Sequence, residues 1–245
     1  MMGILRYESW KRKTLFLTAF LLYGGYWFSL HLIHPEPAAI VFLLPAFGLP
    51  AAFLFALSSG ENHLIAAARR GELGQTLFLP NGPMGVALAS GLLTWLLMSV
   101  LFFFTLIVTG WEAGSVVPRA TSDLTRLSVY LSFAVAAPFS GIATLAGAVG
   151  VAYKLGRVET LLAGFTLVGL LELYFVKLSR LPILWQGPRV PVSDFRWLMD
   201  TFTPQLRLSF PLLPSEWPLT PALAGFLTLA LGIALASQIL SESEV

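Results

Sequence analysis

The sequence predicts an all-α, polytopic integral membrane protein with six transmembrane helices, and three observations carry that prediction. Only 11% of the 245 residues are charged and 56% are hydrophobic, where a water-soluble domain has roughly a quarter of its residues charged. Six mostly apolar windows have the length of about 20 residues that crosses a hydrocarbon core. The charges sit in short clusters between those windows, which leaves nothing polar to cover the outside of a soluble fold. Lipid is therefore the solvent, in keeping with a mean hydropathy of +0.78. The spans should be helices, because an isolated strand in lipid leaves backbone N–H and C=O groups unpaired.

The first span is Thr14–Ile33, after the basic cluster Arg6, Lys11, Arg12 and Lys13. A signal peptide would also place basic residues before an apolar run. Here the run is longer than an h-region, and His31-Leu-Ile-His34-Pro35 offers no small-residue cleavage site, so the segment reads as a retained helix. The second span, Ala38–Leu57, follows a turn too short to hold a domain. A polar stretch of residues 58–82 with Glu61, His63, Arg69, Arg70 and Glu72 leads to the third span, Pro83–Val108. The fourth covers Ser128–Ala152, the fifth Thr160–Leu178 and the sixth Thr220–Leu240, ahead of an acidic tail. No internal repeat or low-complexity linker divides the chain, so residues 1–245 read as one transmembrane domain.

With the N-terminus inside, Arg6, Lys11, Arg12, Lys13, Arg69, Arg70, Lys154 and Arg157 are cytoplasmic, against Arg119, Arg126, Lys177, Arg180, Arg189, Arg196 and Arg207 outside. The numbers are nearly equal, but the inner charges sit compactly at span ends and the outer ones are accompanied by Asp123, Asp194, Asp200 and Glu216. The positive-inside rule then places both termini in the cytoplasm. The segment 179–219 is extracytoplasmic on this topology. Its seven prolines, from Pro182 to Pro218, forbid one long helix. Ser193 or Asp194 can cap a short outer-face helix whose Phe195, Leu198, Met199 and Phe202 recur at helical spacing, a pattern suited to an interfacial cover.

Several chemistries are excluded or unsupported. With no cysteine there is no disulfide framework and no thiolate nucleophile or ligand. No basic run resembles a nucleic-acid site. His31 and His34 lack a third ligand and read as interfacial residues. No HExxH, GxSxG or P-loop motif occurs, so the chain does not hold ATP in the P-loop manner. Glu172, in Gly169-Leu-Leu-Glu172-Leu-Tyr174, is the one acid well inside a predicted span. It must be protonated, paired or turned to a polar cavity, and so belongs either to a substrate path or subunit contact or to a helix-packing hydrogen bond. Gly141, Ala143, Gly147, Ala148 and Gly150 of the fourth span let helix backbones approach closely.

The inner loop carries the most information. Glu61–Arg70 has a polar first turn and an Ala-rich body of high helix propensity. Arg69 and Arg70 suit its C-terminal dipole, and Gly71 can supply a left-handed cap.

At these residues the chain resembles the permease subunits of type-2 ABC exporters. Ile4-Leu-Arg-Tyr-Glu-Ser-Trp-Lys-Arg-Lys13 is similar to the short basic interfacial helix that opens those permeases. Ser59-Gly60-Glu61, then Arg69-Arg70-Gly71-Glu72-Leu73, Leu77 and Pro80, is similar to their loop of the form S-G-E, charged residues, G-T-L-x-x-L-L-x-x-P. The chain departs in Glu72 for the usual Thr, in Thr76 for a Leu and in extra residues between Glu61 and Gly71.

The resemblance implies six spans, a short cytoplasmic coupling helix and outer-face short helices, in a cytoplasmic membrane. It implies a separate ATP-binding cassette ATPase that holds ATP and magnesium, a second permease, identical or homologous, and membrane lipids as partners. Glu61, His63, Arg69, Arg70, Gly71 and Glu72 would couple the permease to the ATPase, and no cofactor or catalytic group is expected in the chain itself. Two other readings are an accessory membrane scaffold and an intramembrane lipid-acting enzyme, for which Glu172 and the outer loop 179–219 are the candidates.

Overall fold

A computed structural model of the chain describes residues 10, 12–33, 43–44, 47–48, 51, 54–55, 63–78, 82–114, 125, 128–130, 132–156, 158–160, 162, 164, 166, 189–191, 216–218 and 220–243. Four helices among them are long and apolar enough to cross a membrane. In chain order the helices are α1 (Lys13–Ile33), a short α2 (63–69), α3 (Glu72–Leu77), α4 (Gly82–Gly114), α5 (Ala137–Ala152) and α6 (Thr220–Glu242). A π-helical turn, Ser132–Ala136, leads into α5. The strands among the described residues form a short antiparallel pair, β1 (Arg189–Pro191) with β2 (Glu216–Pro218), in the segment before α6. The expected outer-face helix at 194–202 lies outside the described residues, as do most of the second and fifth predicted spans.

Where both are described, predicted and observed spans agree closely. The fourth window coincides with the candidate span Ser128–Ala152. The third runs on past Val108 to Gly114, because Glu112 near its end finds partners on α1. Its carboxylate accepts from Trp27 Nε1 at 3.2 Å and lies 3.0 Å from His31 Nε2.

Side-chain contacts fix the direction of each helix. Arg12 meets Ser90 and Thr94, Tyr23 packs on Phe104, and His31 meets Glu112, so α1 and α4 run parallel, side by side. The end where α1 starts is called the lower end below. The described residues between 43 and 55 run the opposite way along α1. The Tyr26 hydroxyl donates to Leu43 O at 2.9 Å and that of Tyr23 to Gly48 O, and Phe55 packs in the cluster that holds Ala19 and Leu97. On the far side of α4, Trp95 Nε1 donates to Ser132 O at 2.7 Å and Gly91 approaches Thr144, which makes α5 antiparallel to α4. Gly225 lies against Phe133 and Pro138, and Gly232 against Gly141, which makes α5 and α6 parallel to each other.

The α5–α6 contact is built from small residues. A Cβ on Gly225 would lie 2.1 Å from Phe133 O, and one on Gly232 2.5 Å from Gly141 O. Small side chains let backbones close in where lipid supplies no hydrophobic drive between helices. Gly141, Ala143, Gly147, Ala148 and Gly150 are all buried, as the sequence leads one to expect. Four buried hydroxyls are satisfied within their own helices, Thr105 on Leu101 O, Thr109 on Thr105 O, Ser140 on Ala136 O and Thr144 on Ser140 O. The π turn has a local cause. Pro138 has no N–H, and its ring cannot sit against the carbonyl four residues earlier, so the helix widens just before it.

Candidate functional site

The lower end of the bundle gathers most of the residues that the sequence marks. α2 ends on Arg69, Arg70 N–H donates to Ala66 O, and Gly71 N–H donates to Ala68 O at 3.0 Å. Gly71 then takes φ 71°, the left-handed conformation that glycine adopts without a Cβ penalty. This is the helix stop that the Ala-rich, Arg-ended pattern predicts. Glu72 starts α3 at once, so the loop is two short helices around a glycine corner. At the start of α4, a Cβ on Gly82 would clash with Thr76 O, so glycine lets the first residue of α4 lie against α3.

The two short helices are seated on the bundle. Leu64, Ala67 and Leu73 are buried in one cluster with Val86, Ala89, Ala148, Val151, Ala236 and Leu240, so α2 and α3 rest on α4, α5 and α6 together. A rigid-body shift of this corner therefore acts on three spans.

The marked residues divide between two sides of the corner. His63 and Glu72 line a cavity of about 10 Å³ with Arg12, Thr76 and Ser90, room for no more than about one water molecule. Arg12 is 3% exposed, and its guanidinium donates to Thr94 Oγ1 at 3.2 Å and to Ser90 Oγ at 3.4 Å. Glu72 also faces outward far enough to pair with Arg70, Nε to Oε1 3.0 Å. That pair is half-exposed and contributes little, about 0.5 kcal/mol or less. Arg69 turns the other way, into a cleft shared with Lys154 at the end of α5. Glu61 and Glu172 lie outside the described residues.

Two positions at the lower end escape the sequence reading. Arg12 counts there as one more charge in a basic cluster; its burial depends on hydroxyls 78 and 82 residues later in the chain. Lys154 counts as a loop cation, yet it holds φ 53°. Leu155 N–H donates to Gly150 O and Lys154 N–H to Val151 O, the 6→1 and 5→2 bonds of a Schellman cap with lysine where glycine is usual. Replacing Lys154 by glycine is expected to raise stability by about 1 kcal/mol, read as a higher midpoint in thermal unfolding of the detergent-solubilised chain.

Among the described residues, no three His, Asp or Glu side chains come together as a metal ion needs. Comparison with family models, with curated proteins and with solved structures returns no match. The functional reading rests on the geometry of the lower end and on the sequence.

Proposed function

We propose that the chain is the transmembrane permease subunit of an ATP-binding cassette transporter, moving its substrate outward across the cytoplasmic membrane under the drive of a separate ATPase subunit. The observation that carries this reading is the α2–α3 corner. It is anchored by Leu64 and Leu73 into a cluster shared with three spans, and it presents Arg69 and Arg70 outward at one end of the bundle. Such a corner transmits a push from a soluble partner into the membrane. The resemblance of Ser59–Glu61 and Arg69–Pro80 to the coupling loop of type-2 exporter permeases supports the same assignment.

Helix direction supports the reading of six crossings. Parallel neighbours in a bilayer must be separated in the chain by an odd number of crossings. α1 and α4 form one such pair and α5 and α6 another, so each pair calls for a returning span, one in the region of 38–57 and one in 160–178. The downward course of the residues between 43 and 55 fits the first. The clustering of the basic residues Arg12, Lys13, Arg69, Arg70 and Lys154 at the lower end supports a cytoplasmic location for that end and for both termini. A cysteine at Ser243 is then expected to react with a membrane-impermeant thiol reagent only in inverted vesicles, and one at Trp111 only in intact cells; the reverse pattern overturns the orientation.

On this reading ATP closes the partner's two subunits, and only the arrangement of permeases favoured by the closed form gains the binding energy. ATP and magnesium reside in the partner, and a second permease completes the path. Arg69 and Arg70 both changed to Glu are expected to lower retention of the ATPase on affinity-purified permease by at least about ten-fold, since the reversed charges replace attraction with repulsion at a desolvated contact. Co-purification at the normal yield would remove the corner from the coupling path. Recovery of the intact native complex with no ATPase subunit would favour the scaffold reading instead.

A further inference from the structure

We infer that the cleft between α2 and the end of α5 is a binding site for an anionic phospholipid of the cytoplasmic leaflet. The cleft has a volume of about 360 Å³, with Ile65, Ala68, Val151 and Leu155 as its apolar lining and Arg69 and Lys154 as its charged residues. Both charges are positive, and among the described residues no carboxylate lines it. Among the described residues neither cation has a side-chain partner, whereas the neighbouring Arg70 is paired with Glu72 and Arg12 is held by Ser90 and Thr94. The volume falls at the small end of the range for small-molecule sites, enough for a phosphodiester headgroup and the first carbons of its chains.

Position and chemistry agree on the occupant. Val151 belongs to the last turn of a span, and Lys154 sits immediately past it, the depth at which lipid phosphates lie against a transmembrane helix end. A basic pocket between helices on the cytoplasmic side suits an anionic headgroup. The apolar lining supports the acyl stem, and a soluble anion has no use for it. The backbone of Lys154 adds a constraint, because its left-handed φ of 53° fixes where the side chain leaves the helix end. The site needs only that the chain lies in a bilayer with its lower end at the cytoplasmic face, the orientation proposed above, and is independent of the transport reading.

The test uses the delipidated full-length chain without any ATPase. It is titrated with phosphatidylglycerol or phosphatidylcholine in mild detergent at about 0.15 M salt, where surface charges are screened beyond ~8 Å, and bound lipid is counted by native mass spectrometry. Each basic side chain near an anionic headgroup contributes about five-fold in affinity, so the pair gives phosphatidylglycerol about a 25-fold preference. Arg69→Gln with Lys154→Gln abolishes that preference. Lys154→Gly reduces it about five-fold in a chain that is no less stable, which separates binding from folding. Lys13→Gln, a cation at the same end but outside the cleft, leaves it intact.

Equal retention of the two lipids overturns the assignment, as does an equal loss in Lys13→Gln. Displacement of phosphatidylglycerol by millimolar inorganic phosphate, but not by chloride, makes the cleft a general phosphate site. No lipid preference in the isolated chain, with loss of a soluble partner in the Arg69→Gln, Lys154→Gln variant, makes it a protein contact.

Discussion

Alanine at Gly232 is expected to destabilise the chain by about 3 kcal/mol or more, while alanine at Gly24 or Gly25 stabilises it. The chemical change is the same at all three positions, one methyl group. At Gly232 that methyl would lie 2.5 Å from Gly141 O, 2.7 Å from Gly141 C and 2.8 Å from Gly141 Cα. Those atoms are backbone, so no rotamer change relieves the clash and the two helices must separate along their contact, an overpacking penalty at the high end of the usual range. At Gly24 and Gly25 an added Cβ meets nothing within 4 Å, and mid-helix glycine itself costs about 0.5–1 kcal/mol relative to alanine. Unfolding of the purified chain in mixed micelles, followed by circular dichroism, reads both effects. Equal behaviour at the three sites would mean that α5 and α6 do not touch at Gly141.

The second large effect is expected at Arg12. Truncation to alanine removes two hydrogen bonds from a charged donor and opens space beside Glu72, and should cost about 2 kcal/mol. Ser90 and Thr94 lose a partner but can turn to the carbonyls of their own helix, which holds the cost below that of a stranded buried charge. Arg12→Met refills the volume without the charge and should recover most of the stability, since apolar residues commonly replace buried ionic groups at little loss. Arg12→Lys should not recover it, because a single ammonium cannot reproduce the planar fork that reaches two hydroxyls on successive turns of α4. If the lower corner carries motion into the spans, Arg12→Met folds normally but loses substrate-stimulated ATP hydrolysis by the assembled transporter. Full stimulation in that variant would make Arg12 purely structural.

The features that the sequence makes legible are those set within one stretch of chain. The limits of Ser128–Ala152, the small-residue face of α5 and the stop at Gly71 each depend on neighbours a few residues away, and each is found where the local pattern puts it. Features that depend on distant partners are not legible. Glu112 lies beyond Val108, where the sequence reading ends the third span, and its place in the helix rests on Trp27 and His31 beside it. Arg12 reads as one basic residue among several until Ser90 and Thr94 close over it. The pairing of Arg69 with Lys154 is of the same kind, since it joins two loops 85 residues apart. In each case the information lies in which helix stands next to which, and an apolar window says nothing about its neighbours because lipid satisfies every face equally.

α4 is 33 residues long, a rod of about 50 Å in a film whose oily part is about 30 Å thick. Even at about 40°, the steep end of the range seen for spanning helices, it still rises through about 38 Å. Part of it must therefore stand proud of the hydrocarbon. At its lower end, where α2 and α3 sit on Val86 and Ala89, the helix continues without a break into the buried core. It is a lever with no hinge: a force applied below the membrane surface arrives at Trp27 and His31, beside Glu112 on the opposite face, as movement of one stiff shaft.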